Sequence, residues 1–360
     1  MPSRTQICCR VEGLPSHVTP ASLGTINLQK LQAGSSEEEQ ALLTAAVTDG
    51  FFYLDLNHPE FQSLLDSVDD VFNLSEAVFN QDSTVKDLFD VDKISQLKTN
   101  GYKPKGRNIV NNMGGRDGFE SWVLPRNGIF QLSNDPFPHT PVIATRLQSL
   151  RDLMTGLGSA AQTIFTSLSK ALALQPGQQL ELFHDPSQAA PDILRLLKYH
   201  ATEATGLVPQ TPHTDLGSLT FVFSTTPGLQ VLPPGTASKN PAESDWVYVA
   251  PKAGHAVVNF GDCMTMLTNG LVKSSLHRVA PLPSVSMHER YSLAYLIRPQ
   301  DSTVLRPLAS PLIKPSLYSD DDVAVTSGQW ITRKFKALRG KSEAKATEDH
   351  VLTGGRGVLV

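Results

Sequence analysis

The segment Pro212-His213-Thr214-Asp215-Leu216-Gly217-Ser218-Leu219-Thr220 decides the reading of the fold. An imidazole and a carboxylate two residues apart on an extended strand point to the same side. Short apolar runs surround it, over residues 193–199, 219–223, 229–232, 246–250, 256–260, 264–267 and 291–297. Glycine, proline and asparagine punctuate them. Several short strands at close spacing indicate a sandwich or a barrel. Residues 190–300 are therefore read as a β module.

His277 adds a third donor. It lies in Ser274-Ser275-Leu276-His277-Arg278-Val279, after an expected strand pair over 256–260 and 264–267 that turns at Gly261-Asp262. A β module brings such distant residues together. Two neutral imidazoles and one carboxylate form the facial triad of non-haem Fe(II) oxygenases, which leaves coordination positions open. His213, Asp215 and His277 are thus the candidate metal ligands. Arg290-Tyr291-Ser292 opens the last apolar strand. Its guanidinium offers a fork to a carboxylate, and the Ser292 hydroxyl adds a donor from the same face. Pairing of Arg290 with Glu289 or Asp262 is the competing reading.

Upstream of residue 190 the pattern is helical. A capping-box pattern, Ser36-Glu37-Glu38-Glu39, opens a helix that stops at Gly50. Phe51-Phe52-Tyr53-Leu54 reads as a strand, and a second helix spans Phe61 to Phe72. The longest periodic stretch is 141–174, where Ile143, Leu147, Leu150, Met154, Leu157, Ala161, Ile164, Leu168 and Leu172 form one apolar stripe. One long helix is expected there, with a bend at Gly156 and Gly158. The expected divisions are a loose leader over 1–24, a helix-rich region over 25–189 and the β core over 190–300. A C-terminal extension over 301–360 would be helical from Gln329 and then disordered.

The 360 residues carry a net charge of -4. That charge gives no basic field for a polyanion, so nucleic acid is not an expected partner. No apolar run of membrane-spanning length occurs, and residues 1–20 lack the apolar stretch of a signal peptide. Three cysteines, Cys8, Cys9 and Cys263, make no disulfide framework and suit a reducing compartment. A cytoplasmic monomer acting on a small molecule is the expectation.

Seven elements recur here in a familiar order: Tyr199, the His213–Asp215 segment, Pro227-Gly228-Leu229-Gln230-Val231, Asn259-Phe260-Gly261-Asp262, Thr268-Asn269-Gly270, Ser274–Val279 and Arg290-Tyr291-Ser292. Together with Gly50-Phe51-Phe52, Gly101-Tyr102 and Asp117–Glu120, they resemble the isopenicillin N synthase-like branch of the Fe(II)/2-oxoglutarate-dependent oxygenases, fungal members above all. The resemblance implies an α+β protein with a mainly β core. That core would be a double-stranded β-helix (jelly roll), flanked by helices including the long one. It implies Fe(II) on His213, Asp215 and His277, with O2 and 2-oxoglutarate as cosubstrates. Arg290, Ser292 and Tyr199 would hold the far carboxylate of 2-oxoglutarate. The implied reaction hydroxylates, desaturates or rearranges a specialised metabolite and releases succinate and CO2. Two positions depart from the pattern: His200 replaces the proline after the tyrosine, and Leu197 replaces an asparagine. The second leaves room for an Fe(II) oxidase that uses no 2-oxoglutarate. A zinc hydrolase and a non-catalytic ligand-binding barrel are more distant alternatives.

Overall fold

The computed structural model describes residues 11–95, 97–108, 116–201, 209–236, 241–283, 286–315 and 325–339. The first ten residues of the expected leader, and the tail beyond 339, lie outside them.

Among the described residues, twelve strands form two sheets. They are β1 (Thr25–Asn27), β2 (Phe51–Asp55), β3 (Gly101–Lys103), β4 (Phe119–Pro125), β5 (Ile193–Tyr199), β6 (Gln210–His213), β7 (Leu219–Ser224), β8 (Leu229–Val231), β9 (Val247–Tyr248), β10 (His255–Phe260), β11 (His277–Val279) and β12 (Arg290–Ile297). The major sheet has eight strands in the order β1-β2-β10-β7-β12-β5-β4-β3, and the minor sheet four in the order β6-β11-β8-β9. All pairs are antiparallel except β1 with β2. The minor sheet faces one side of the major sheet, and small apolar clusters fill the space between. Phe51, Tyr53 and Val257 meet Leu229 and Val231 in one, while Leu197 and Tyr199 meet Val279 in another.

Helices cover the other side of the major sheet. The apolar stripe of Leu147–Ala171 buries Leu150, Leu157, Ile164 and Leu168 in a core shared with the helices Ser36–Thr48 and Gln62–Phe79 and with the outer face of the sheet. Trp122 and Phe221 belong to this core, whereas Phe119 faces Tyr199 across the inner side. Strand alternation separates the two sets.

Several expectations change. Met264–Leu267 is not a strand but the end of a helix, Asp262–Leu267, that carries Cys263. Four apolar residues do not distinguish the two states, and Gly261 starts the helix directly after β10. The periodic stretch 141–174 splits into Pro141–Ala144 and Leu147–Ala171, with no break at Gly156 or Gly158. The cap of Ser36–Thr48 falls one residue earlier than expected, on Ser35, whose hydroxyl accepts from the Glu38 N–H at 3.4 Å. The run 246–250 keeps only two strand residues, and four of the major-sheet strands come from the N-terminal half.

Candidate active site

Antiparallel pairing sets His277 of β11 opposite His213 of β6, with ring centroids 4.3 Å apart. Asp215 completes the group, although it does not share the strand with His213. β6 ends at His213, and Asp215 lies in the turn beyond. Hydrogen bonds rather than alternation aim its carboxylate. One oxygen, Oδ2, accepts from the Thr220 hydroxyl at 2.6 Å and from Asn259 Nδ2 at 2.8 Å. The other, Oδ1, stands 3.9 Å from His277 Nε2. A ligand atom from each of the three residues lies within 4.8 Å of the others. A Cβ on Gly261 would stand 2.4 Å from the Gly217 carbonyl oxygen, so the turn closes this tightly only around a glycine.

Both imidazoles are presented alike. His213 Nδ1 lies 2.9 Å from the Thr211 carbonyl and His277 Nδ1 lies 3.2 Å from that of Ser275. A carbonyl only accepts, so each Nδ1 carries a proton and each Nε2 is the ring nitrogen left to face a metal. Burial, followed by the neighbouring His277, pushes the His213 pKa down to about 3. Burial alone would raise Asp215. The two histidines and the bonds from Asn259 and Thr220 outweigh it and hold the carboxyl at about 2. Two imidazoles with Nε2 facing inward and one ionised carboxylate are a donor set that suits a divalent metal.

The second end of the site lies along β12. Arg290 is paired with Tyr199 of β5, and Ser292 with Ser224 of β7. All of these side chains face between the sheets. Arg290 pairs with neither Glu289 nor Asp262. Its Nε donates to the Thr226 carbonyl at 3.3 Å and Nη2 to the Ser224 hydroxyl at 3.0 Å. The buried Nη1 has no hydrogen-bond partner. Gly228 (φ +140°) passes directly beside it, and a Cβ there would come within 3.4 Å of Nε. The Tyr199 ring lies 5.0 Å from the guanidinium carbon.

A polar chain joins the two ends. Tyr199 donates its hydroxyl to Gln210 Oε1 at 2.7 Å, and Gln210 Nε2 lies 3.3 Å from His213 Nε2. Sequence reading did not single out Gln210, Thr220 or Arg195. Thr220 sits between Leu219 and Phe221 in a strand that is otherwise apolar through Phe223, which was a usable signal. Arg195 alternates with Leu194 and Leu196 on β5, and the latter two belong to the helix-side core. It therefore faces inward with Arg290, and its Nε has no hydrogen-bond partner.

Comparison with known proteins adds the decisive observation. The profile of the 2OG-Fe(II) oxygenase superfamily matches residues 192–299. The chain is 30 % identical over 348 residues to the 2-oxoglutarate-dependent dioxygenase frbH of Dothideomycetidae sp. (strain 11243), covering 94 % of this chain and 97 % of that one. The chain belongs to the 2OG-Fe(II) oxygenase superfamily. A second member, the 2-oxoglutarate-dependent dioxygenase gloE of Glarea lozoyensis, is 30 % identical over 336 residues, 92 % of each chain. Among solved structures, the superfamily fold recurs in a full-length Neurospora crassa protein crystallised with alpha-KG and thymine. That protein has a TM-score of 0.72 and 22 % identity, over 91 % of this chain and 99 % of that one. A 2OG-Fe(II) oxygenase family protein of Caulobacter crescentus follows, with a TM-score of 0.71 and 19 % identity over 88 % and 99 %. As a superfamily member the chain is an oxidoreductase that works with Fe(II) and 2-oxoglutarate. The donor set of His213, Asp215 and His277 fits the metal, and the buried, partnerless Arg290 Nη1 fits the acid.

Proposed function

We propose that this protein is a 2-oxoglutarate-dependent dioxygenase of fungal specialised metabolism that oxidises a C–H bond of a small organic molecule. In this reading His213, Asp215 and His277 hold Fe(II). Arg290 and Ser292, with Tyr199 beside them, hold the far carboxylate of 2-oxoglutarate. The observation that carries the reading is the convergence of two imidazoles and one carboxylate at one end of the space between the sheets, with a buried guanidinium at the other. When bound, Fe(II) and 2-oxoglutarate supply dioxygen activation coupled to decarboxylation, with succinate and CO2 as products.

The chain's own residues supply orientation. Thr220 and Asn259 fix the rotation of the Asp215 carboxylate. Thr211 and Ser275 fix the ring tautomers. Arg290 aims the keto acid from its far end, which removes rotational freedom before reaction. The clusters around Phe119, Leu197 and Val279 keep water out of the same space. A monomer in the cytosol completes the reading. The large exposed apolar side chains Leu88, Leu97, Leu182, Val304 and Leu312 are spread over separate segments, and no helix among the described residues is long and apolar enough to cross a membrane. Size-exclusion chromatography checks the monomer.

The deciding experiment is anaerobic. Fe(II) and 2-oxoglutarate are added to the purified protein, and a weak visible charge-transfer band is expected in wild type and absent in His213→Ala. Succinate release on admitting O2 then identifies substrates from a panel. Iron bound without a band, and no 2-oxoglutarate consumed with any substrate, would overturn the reading.

A further inference from the structure

The helix Ser327–Arg339 is far from the ligands in sequence and next to them in space. Ser327, at its start, is tied down by its N–H to the Thr303 carbonyl at 2.8 Å and by its hydroxyl to that of Pro299 at 3.1 Å. One turn along, Trp330 Nε1 donates to the Leu216 carbonyl at 3.2 Å. One turn further, Lys334 is 2 % exposed. Its ammonium donates to the Thr214 carbonyl at 3.2 Å and to the Thr214 hydroxyl at 3.1 Å, and it pairs with Asp262 Oδ2. Residues four apart share one helix face. Trp330 and Lys334 therefore grip the residues on either side of Asp215.

Asp262 extends the grip to the third ligand. Its Oδ1 accepts from the Ser274 hydroxyl at 2.7 Å, three residues before His277. Its N–H donates to the Asp215 carbonyl at 2.8 Å. The metal-facing segments 213–215 and 274–277 thus meet on one carboxylate, and a lysine from a third part of the chain neutralises it.

We infer that Lys334, with Trp330 one turn before it, is a positioning residue: the C-terminal helix sets the mutual distance of the three metal ligands through Thr214, Leu216 and Asp262. The inference rests on the metal-binding role given above to His213, Asp215 and His277. Outer partners of this kind tune affinity because small shifts of a ligand degrade the whole polyhedron.

The test titrates the full-length apoprotein with Co(II), well below the melting temperature of each variant. It follows visible absorption and the dissociation constant. Wild type should bind one equivalent and His213→Ala should bind none, which tests the metal site separately. With that established, Lys334→Met should weaken Co(II) binding by roughly ten- to hundredfold and alter the absorption bands. Trp330→Phe keeps the ring packing and removes one N–H, and should shift both in the same direction by less. It also serves where Lys334→Met fails to fold. Unchanged affinity and bands in a folded Lys334→Met, or in Trp330→Phe where that alone folds, would overturn the inference and leave the helix a purely stabilising role.

Discussion

Arg290 gives Nε to the Thr226 carbonyl and Nη2 to the Ser224 hydroxyl, which leaves the buried Nη1 for an incoming acid. Hydrogen bonds to charged groups contribute about 1.5–3 kcal/mol. Arg290→Ala should therefore raise the KM for 2-oxoglutarate by roughly ten- to hundredfold, with little effect on the KM of the organic substrate. Steady-state kinetics with each varied in turn checks this, and equal effects on both would reject the anchor. His184 is a second residue with a sharp consequence. It stacks on Phe165 at 4.1 Å, its Nδ1 donates to the Leu180 carbonyl at 2.7 Å and its Nε2 accepts from the Ser218 hydroxyl at 2.7 Å. Burial pushes its pKa down to about 4 from an ordinary 6.5. The unfolded chain then binds the proton more readily than the native one. Stability linked to His184 is full above pH 6.5 and falls as pH drops toward 4. The loss is on the order of 3 kcal/mol, and in urea titrations at pH 7 and pH 4.5 the drop in stability should be smaller in His184→Gln than in wild type by about that amount. The metal candidates were legible because their residue types and order are distinctive. Gln210, Thr220 and Lys334 were not, because their roles arise only from what the fold places beside them.

The helix Leu147–Ala171 separates two glycines with similar sequence surroundings. A Cβ on Gly158 would meet nothing within 4 Å, while one on Gly156 would stand 2.8 Å from Leu64 Cδ1. Glycine inside a helix costs about 0.8–1.0 kcal/mol relative to alanine. Gly158→Ala should therefore raise stability by about 0.5–1 kcal/mol, and Gly156→Ala should gain less because Leu64 must move. Thermal melts of the two variants check the difference. Apolar periodicity revealed this helix but gave no hint of which glycine is packed against a neighbour. Short elements were harder. β6 and β11 are four and three residues long and mostly polar, so no apolar pattern marks them. Met264–Leu267 is apolar enough for either state, and only its seat after Gly261 decides.

At the scale of the molecule, the region 190–300 holds the minor sheet but only half of the major one. β1 and β2 cover the β10 edge, and β3 and β4 cover the β5 edge, all from the N-terminal half. A fragment over 190–300 should expose two long apolar edges and aggregate rather than fold, as exposed strand edges do. Circular dichroism and light scattering of the fragment against the full chain check this. The β character of 190–300 was readable from its short runs. Of the N-terminal contribution, Phe51-Phe52-Tyr53-Leu54 in β2 was readable as a strand, whereas a three-residue strand such as β3 leaves no pattern of its own. The placement of Lys334 has a further consequence during synthesis. Ribosomes add residues from the N-terminus at about 5–20 per second. A nascent chain that has displayed His213, Asp215 and His277 still lacks the helix that braces them for several seconds at that pace. In the proposed reading, iron offered to the emerging polypeptide would meet three candidate ligands not yet held to distance, so loading with the metal is expected after translation, once Ser327–Arg339 has docked.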